Sequence, residues 1–404
     1  METLSLYIHI PFCIKKCLYC DFLSYEGLSD EAQEGFFDAL VKEVAEAAGR
    51  LAVESSKTYE ITSIYFGGGT PSFPEANHIE RVMNAVYDYY DVNLAAEITL
   101  EVNPGTVNLE KFKAYKRMGI NRLSIGAQSM SNVDLQHLGR AHTAAQFYEA
   151  YRDARTAGFR NISIDVMMGL PGQTLSDYLN TLREITECKP EHISSYSLII
   201  EEGTPYFEFF GEGRCPMPDN PAGLFRLGLP DEDEERRMYE ETERLLRTAG
   251  YHRYEISNFA KNDEHIPEKY ESRHNKVYWT RGDYLGFGLG ASSMINNKRF
   301  SNIRSFSDYC KAEGDIKKIR ENITELDINS QIEEFMFLGL RLTEWVSTIK
   351  FENTFGVPFD DVYGEVVKAL VNQGFIKKEK EYVSLTDRGI DLSNPVMAQF
   401  LFDR

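Results

Sequence analysis

Short apolar runs recur through the first half of the chain, with amphipathic stretches between them. Residues 4–10 (Leu-Ser-Leu-Tyr-Ile-His-Ile) form a β-rich run that stops at Pro11, and similar runs follow at 61–66, 97–102, 121–126, 161–166 and 192–199. Helical periodicity fills the intervals at about 30–49, 75–91, 108–118, 143–157 and 175–187, most of these stretches closing on a Gly or Pro turn. Strands that alternate with crossover helices pair in parallel, and right-handed crossovers curl six of them into a partial barrel rather than a closed eight-stranded one. Chemistry in such folds gathers at the C-terminal ends of the strands. The cysteine loop follows the first strand, Gly67-Gly68-Gly69 the second, and Glu101-Val102-Asn103-Pro104 ends the third. Gln128, Asp165 and Ile199 fall at or near the ends of the fourth, fifth and sixth, so all six are expected on one rim.

The second half reads differently. Residues 203–231 are rich in Gly, Pro and aromatics, a helix is predicted at 232–249, and a polar loop over 257–275 leads into His274-Asn275-Lys276-Val277-Tyr278-Trp279. A boundary is expected near 320, dividing a barrel with its extension (1–320) from a second domain (321–404). Helices at about 328–341, 346–355 and 360–373, then a hairpin through Tyr382-Val383-Ser384-Leu385, predict a winged-helix-like α+β unit. Acidic residues outnumber basic ones there, which disfavours nucleic acid as its ligand.

Composition narrows the classes. Hydrophobic residues at 42% and charged residues at 26% of the 404 describe an ordinary globular chain. A formal charge of -19 repels phosphate backbones and anionic lipid headgroups. The start, Met1-Glu2-Thr3-Leu4, has no basic segment followed by an apolar one, and no run of about 18 apolar residues occurs, so a cytoplasmic chain without an integral membrane segment is expected. Of six cysteines, three crowd into residues 13–20 while Cys188, Cys215 and Cys310 stand alone. Clustered thiols in a reducing compartment point to metal.

Cys13-x-x-x-Cys17-x-x-Cys20 lets one loop reach three corners of a cuboidal 4Fe-4S cluster and leaves the fourth iron open. That iron can chelate the amino and carboxylate groups of S-adenosyl-L-methionine, and an electron from the cluster can then cleave the sulfonium. Structural zinc would want a fourth ligand and a second Cys-x-x-Cys hook, and none follows. Gly67-Gly68-Gly69-Thr70-Pro71 suits close approach of a ligand amine to the backbone, or is a tight strand-to-helix turn. Glu101 and Asp165 lie on apolar strands, where ligand hydroxyls or an amine, a helix cap, or a buried pair with Arg140 or Arg122 would satisfy them. Gly286-x-Gly288-x-Gly290-Ala291 sits outside a βαβ unit and reads as a packing turn.

With Tyr7-x-His9-x-Pro11-Phe12-Cys13-x-x-x-Cys17-x-Tyr19-Cys20, the chain resembles the radical S-adenosylmethionine superfamily, and specifically the oxygen-independent coproporphyrinogen III oxidase family. The resemblance runs nearly end to end. Phe66-Gly67-Gly68-Gly69-Thr70-Pro71-Ser72, Leu123-Ser124-Ile125-Gly126-Ala127-Gln128-Ser129, Leu138-Gly139-Arg140-Ala141-His142 and Asp165-Val166-Met167-Met168-Gly169-Leu170-Pro171-Gly172-Gln173-Thr174 are similar to family blocks in the expected order. It implies that Tyr7, Gly68, Glu101 and their neighbours hold cluster-bound S-adenosylmethionine, and that Gly69, Thr70, Gln128, Arg140 and Asp165 line the cofactor and substrate region.

That family divides. The oxidase branch carries a further cysteine two residues after the third cluster ligand, where this chain has Phe22. A haem-chaperone branch carries His-Asn-x-x-Tyr-Trp, present here as 274–279, while the 207–231 segment exceeds the usual loop. The resemblance implies a carrier of haem that delivers it to an acceptor protein, with an electron donor for the cluster. The alternative is an oxidase that removes carbon dioxide from porphyrinogen propionates, and a third reading gives the C-terminal domain a partner-docking role. Haem needs an axial donor and an apolar slot. His274 is a candidate for the donor and Tyr278 with Trp279 for the slot, against the plainer reading of His274 as a hydrogen-bonded core residue.

Overall fold

The computed structural model describes residues 1–54, 57–211 and 228–402. Six parallel strands stand where the periodicity predicts them: β1 (Glu2–Ile10), β2 (Tyr59–Gly68), β3 (Val92–Val102), β4 (Arg122–Gln128), β5 (Ile162–Met168) and β6 (His192–Ser197). Their order in the sheet is their order in the chain. Helices Asp30–Glu54, Ala76–Tyr89, Leu109–Arg117, Ala144–Thr156 and Leu175–Glu187 make the crossovers. Capping chemistry fixes where several begin. Asn108 caps its helix through Lys111 N, and Thr143 and Thr174 form reciprocal capping boxes with Gln146 and Asp177.

The alternation along each strand separates two interiors. Leu4, Leu6, Ile8 and Ile10 of β1 are wholly buried, and so are Ile64 and Phe66 of β2 and Ile162, Ile164 and Val166 of β5; they pack against helical residues such as Phe36, Leu40, Val82 and Phe112. The intervening positions are buried too, but polar: Ser5, Ser63, Arg122, Ser124, Ser163, His192 and Ser194. Strands buried on both faces are the rule for parallel sheets covered by helices. Here the concave face is a hydrogen-bonded polar core and the convex face an apolar one.

Both edges of the sheet extend beyond the six expected strands. On one side β6 pairs antiparallel with β8 (Asn258–Lys261), which pairs with β7 (Tyr251–Arg253). On the other, β9 (Tyr284–Phe287) lies parallel to β1 and continues antiparallel through β10 (Ser292–Ile295), β11 (Lys298–Asn302) and β12 (Arg320–Glu325). The stretch 257–275, expected as a polar loop, therefore begins with a strand. Gly286 and Gly288 pack as the sequence suggests. A Cβ at Gly286 would meet Ser292 O at 2.3 Å, and one at Gly288, whose φ is +89°, would meet His9 O at 2.5 Å. The amide of Gly288 donates to Glu43, a fully buried carboxylate that also accepts from Tyr309 and Asn302.

A second apolar core, from Ile332 to Phe400, is enclosed by helices Ile328–Gly339, Thr348–Phe355 and Phe359–Asn372 and a three-stranded antiparallel sheet (Val346–Ser347, Tyr382–Leu385, Ile376–Glu379), the winged-helix-like arrangement expected. It joins the barrel through the pairing of Glu255 with Leu342 and the bond from Thr343 N to Tyr254 O. Residues 212–227, most of the segment singled out at 207–231, lie outside the described residues; a helix Pro205–Phe210 precedes them. Among the described residues no helix is long and apolar enough to cross a membrane.

Ile164 is completely buried on the convex face of β5. Ile164→Ala is expected to destabilise the barrel by about 2–5 kcal/mol, read as a lower guanidinium midpoint of its unfolding transition.

Candidate functional site

A cavity of about 500 Å³ opens at the C-terminal ends of the six strands, a size typical of small-molecule sites. Cys13, Cys17 and Cys20 all line it, with Gly68, Gly69, Thr70, Glu101, Gln128, Arg140 and Asp165. Of the residues nominated from the sequence, the structure leaves Tyr7 and His274 outside its wall. Tyr65, Ser124, Met167 and Tyr196 are among the further residues that line it and were not nominated from the sequence. Tyr65 was legible in principle, since it shares the alternation that points Ser63 inward.

The cysteine loop is held from three sides by backbone. Gly69 N donates to Ile10 O at 2.9 Å and Thr70 N to Phe12 O at 2.7 Å, which straps the glycine loop to the chain entering Cys13. Leu18 N donates to Leu138 O, and Tyr206 N to Leu18 O. His9 Nε2 donates to Leu23 O at 2.8 Å, which leaves Nδ1 to accept the Tyr7 hydroxyl at 3.1 Å. The glycines are required by packing within the protein: a Cβ at Gly68 (φ +111°) would meet the His9 ring at 2.5 Å, and one at Gly69 would meet Phe12 O at 2.9 Å. Farther out, the Lys111 ammonium lies 3.0–3.2 Å from the carbonyl oxygens of Ser72, Phe73, Pro74 and Thr106 and ties the glycine loop to the turn after β3.

The thiols have graded surroundings. Cys13 Sγ accepts from the Thr70 hydroxyl at 3.5 Å, and Cys17 Sγ from Arg140 Nη1 at 3.7 Å. Burial raises the Cys13 thiol and pushes Cys20 up to about 11, which favours the protonated thiol in both. Arg140 also donates from Nη2 to Gly126 O at 2.9 Å, while its Nε is buried without a hydrogen-bond partner. Gln128 closes this side at φ +64°, where the pairing of β4 with β5 slips by one residue. A bulge with a left-handed non-glycine residue re-aims the side chain at the rim.

Two carboxylates form the floor. Glu101 accepts from the Tyr65 hydroxyl at 2.8 Å, and burial raises it to about 7. Asp165 accepts from Ser124 at 3.0 Å and Ser163 at 3.2 Å, and burial raises it as well. Neither is hydrogen-bonded to Arg122, which is 2% exposed with an unpartnered Nε and whose strongest electrostatic partner is Glu97.

His274 lies away from the cavity wall. It is 1% exposed and plugs the N-terminal end of the barrel from helix Arg273–Trp279. Nδ1 lies 2.9 Å from Ser63 Oγ and Nε2 lies 2.8 Å from the Tyr278 hydroxyl. Ser63 donates to Ser5, so Nδ1 donates to Ser63 and the lone pair on Nε2 accepts from Tyr278. Burial and Arg122 hold the ring neutral, with its pKa lowered to about 3. No lone pair is left for an axial bond. Trp279 does not form a slot with Tyr278 either; the Arg341 guanidinium covers its ring at 4.2 Å and Tyr278 packs edge-on against Tyr284. In this structure His274 is the hydrogen-bonded core residue.

The fold over nearly the whole chain is that of coproporphyrinogen III oxidase (HemN) from Escherichia coli, described as a radical SAM enzyme: the TM-score is 0.79 at 22% identity, covering 99% of this chain and 90% of that one. The radical SAM superfamily domain matches residues 7–185 and the HemN C-terminal domain residues 326–392. Barrel, cysteine loop and matched domains make this a radical SAM protein. Proteins named heme chaperone HemW in Lactococcus lactis subsp. lactis (strain IL1403) and Bacillus subtilis (strain 168) are 36% and 35% identical, over 99% and 98% of this chain and 97% and 99% of theirs. The chain belongs to that HemW family.

A buried carboxyl raised from about 4.5 to about 7 contributes stability below pH 4.5 that is lost as pH rises through 7. Glu101→Gln is therefore expected to gain on the order of 3 kcal/mol relative to wild type at pH 8 and nothing at pH 4.5, measured by denaturant melts of the metal-free chain.

Proposed function

We propose that the chain binds haem and transfers it to an acceptor protein, and that Cys13, Cys17 and Cys20 hold a 4Fe-4S cluster with S-adenosyl-L-methionine at its open iron. The observation that carries the cofactor part is the meeting of three thiols and two desolvated carboxylates on one cavity wall. Among the described residues no three His, Cys, Asp or Glu side chains are gathered closely enough for a single ion. Three thiols from one loop line one cavity, two of them accepting hydrogen bonds from Thr70 and Arg140, and these residues fit the group.

When bound, the cluster supplies one electron at low potential and an iron that chelates the amino acid end of S-adenosylmethionine. The chain's own part is positioning. Thr70 and Arg140 donate to two of the sulfurs, and hydrogen bonds to cluster sulfurs raise the reduction potential. Glu101 and Asp165 lack a hydrogen-bonded cation, and a ligand bearing ammonium and sulfonium charges compensates their burial. An external electron donor and the acceptor protein complete the set of partners.

The haem part rests on the relatives' name and on Phe22, which is 60% exposed at the mouth where the oxidase branch carries a cysteine. Two experiments test the reading. Cys17→Ala is expected to lose the brown absorbance of the anaerobically reconstituted protein while the far-ultraviolet spectrum stays native; full iron and sulfide in the variant would refute the cluster assignment. Haem added to the wild type is expected to give a saturable Soret shift at about one equivalent. Conversion of coproporphyrinogen III by the same preparation, with no Soret shift, would make the protein an oxidase instead.

A further inference from the structure

We infer that His274 is a positioning residue for the cavity floor, acting through Tyr65 on Glu101, and that the 274–279 motif seals the barrel instead of ligating haem. The inference rests on the proposed cofactor site only for what Glu101 would touch; the geometry itself is independent of it.

The connection is short. His274 is fixed by the hydroxyls of Ser63 and Tyr278, and its backbone N donates to Glu97 Oε1 at 3.2 Å. Its ring stacks on Tyr65, with centroids 5.1 Å apart and planes 26° from parallel. Tyr65 then delivers its hydroxyl to Glu101 Oε1 at 2.8 Å. A phenol stacked on a ring that is itself pinned at both nitrogens has little freedom to turn, so the carboxylate it bonds is held in one orientation. The second carboxylate, Asp165, has hydroxyl donors on its own and neighbouring strands and needs no such support. Glu101 depends on a helix that arrives from residue 273 onward.

Ligation of haem by His274 would have to break the Tyr278 bond, expose a side chain that is 1% exposed, and open the end of the barrel. His274 and Tyr278 bond each other in the polar core, Trp279 lies under Arg341, and no residue of 274–279 lines the cavity.

The test uses the full chain, first without metal or ligand. The carboxyl stretch of Glu101 is isolated in infrared difference spectra by subtracting Glu101→Gln. Tyr65→Phe, which removes the donated hydroxyl, is expected to shift that band, and His274→Ala to shift it in the same direction. Tyr278→Phe, which removes one bond and keeps the core filled, is expected to give a smaller shift and guards against misfolding of the alanine variant. An unmoved band in both His274→Ala and Tyr278→Phe overturns the proposal. In the anaerobically reconstituted protein, S-adenosylmethionine is expected to bind about tenfold more weakly to His274→Ala and to Tyr65→Phe, with the double variant no weaker than the worse single. Fully additive losses overturn it. The haem Soret titration is expected to be unchanged in His274→Ala, and its loss there with retention in Tyr65→Phe overturns it in favour of axial ligation. Absence of S-adenosylmethionine or haem binding in the wild type counts against the proposed function alone, because the infrared result stands without either ligand.

Discussion

Polar side chains inside the barrel can find partners only within the protein or in a bound ligand, and that constraint organises the molecule. A buried hydroxyl, imidazole or carboxyl left unpaired costs more than an ordinary hydrogen bond gains. The serines on β1, β2, β4, β5 and β6 carry short hydroxyls that can donate or accept, so His192, His274 and Asp165 are each held by at least one hydroxyl. Satisfaction thins toward the C-terminal rim. Arg140 keeps an unpartnered Nε there, and the carboxyls of Glu101 and Asp165 are raised by burial. The mouth, where the three thiols stand, is the chemically unfinished end that a ligand can complete.

The base is finished by an element from outside the six repeats. Helix Arg273–Trp279 enters between the two sheet extensions and supplies the imidazole that the inward serines of β1 and β2 require. Closing the floor in this way removes water from beneath the carboxylates and strengthens every electrostatic contact above them. Base and mouth are joined by a short path, from His274 through the stacked ring of Tyr65 to Glu101.

Much of this was legible in the sequence. Alternation and helical periodicity gave the six strands, the crossovers and the rim on which Cys13, Cys17, Cys20, Glu101 and Asp165 meet, because those signals are local. The sheet extensions were missed since β9 to β12 are short, and β9 joins β1 across about 280 residues of chain (Ser5 opposite Tyr284). One signal was present: Asn296 and Asn297 both adopt positive φ between β10 and β11, the preference of a two-residue hairpin turn. The surroundings of His274 were illegible for a different reason. A motif beside Tyr and Trp does not reveal whether its lone pair is free, and only the positions of Ser63 and Tyr278 decide that.

The Lys111 ammonium acts where a bound cation would otherwise be needed, gathering four carbonyl oxygens of two rim segments at one point. Across the cavity the wall is of a different kind: Phe22 and Ile199 stand exposed there, so one lip is tied through polar groups and the other offers apolar surface.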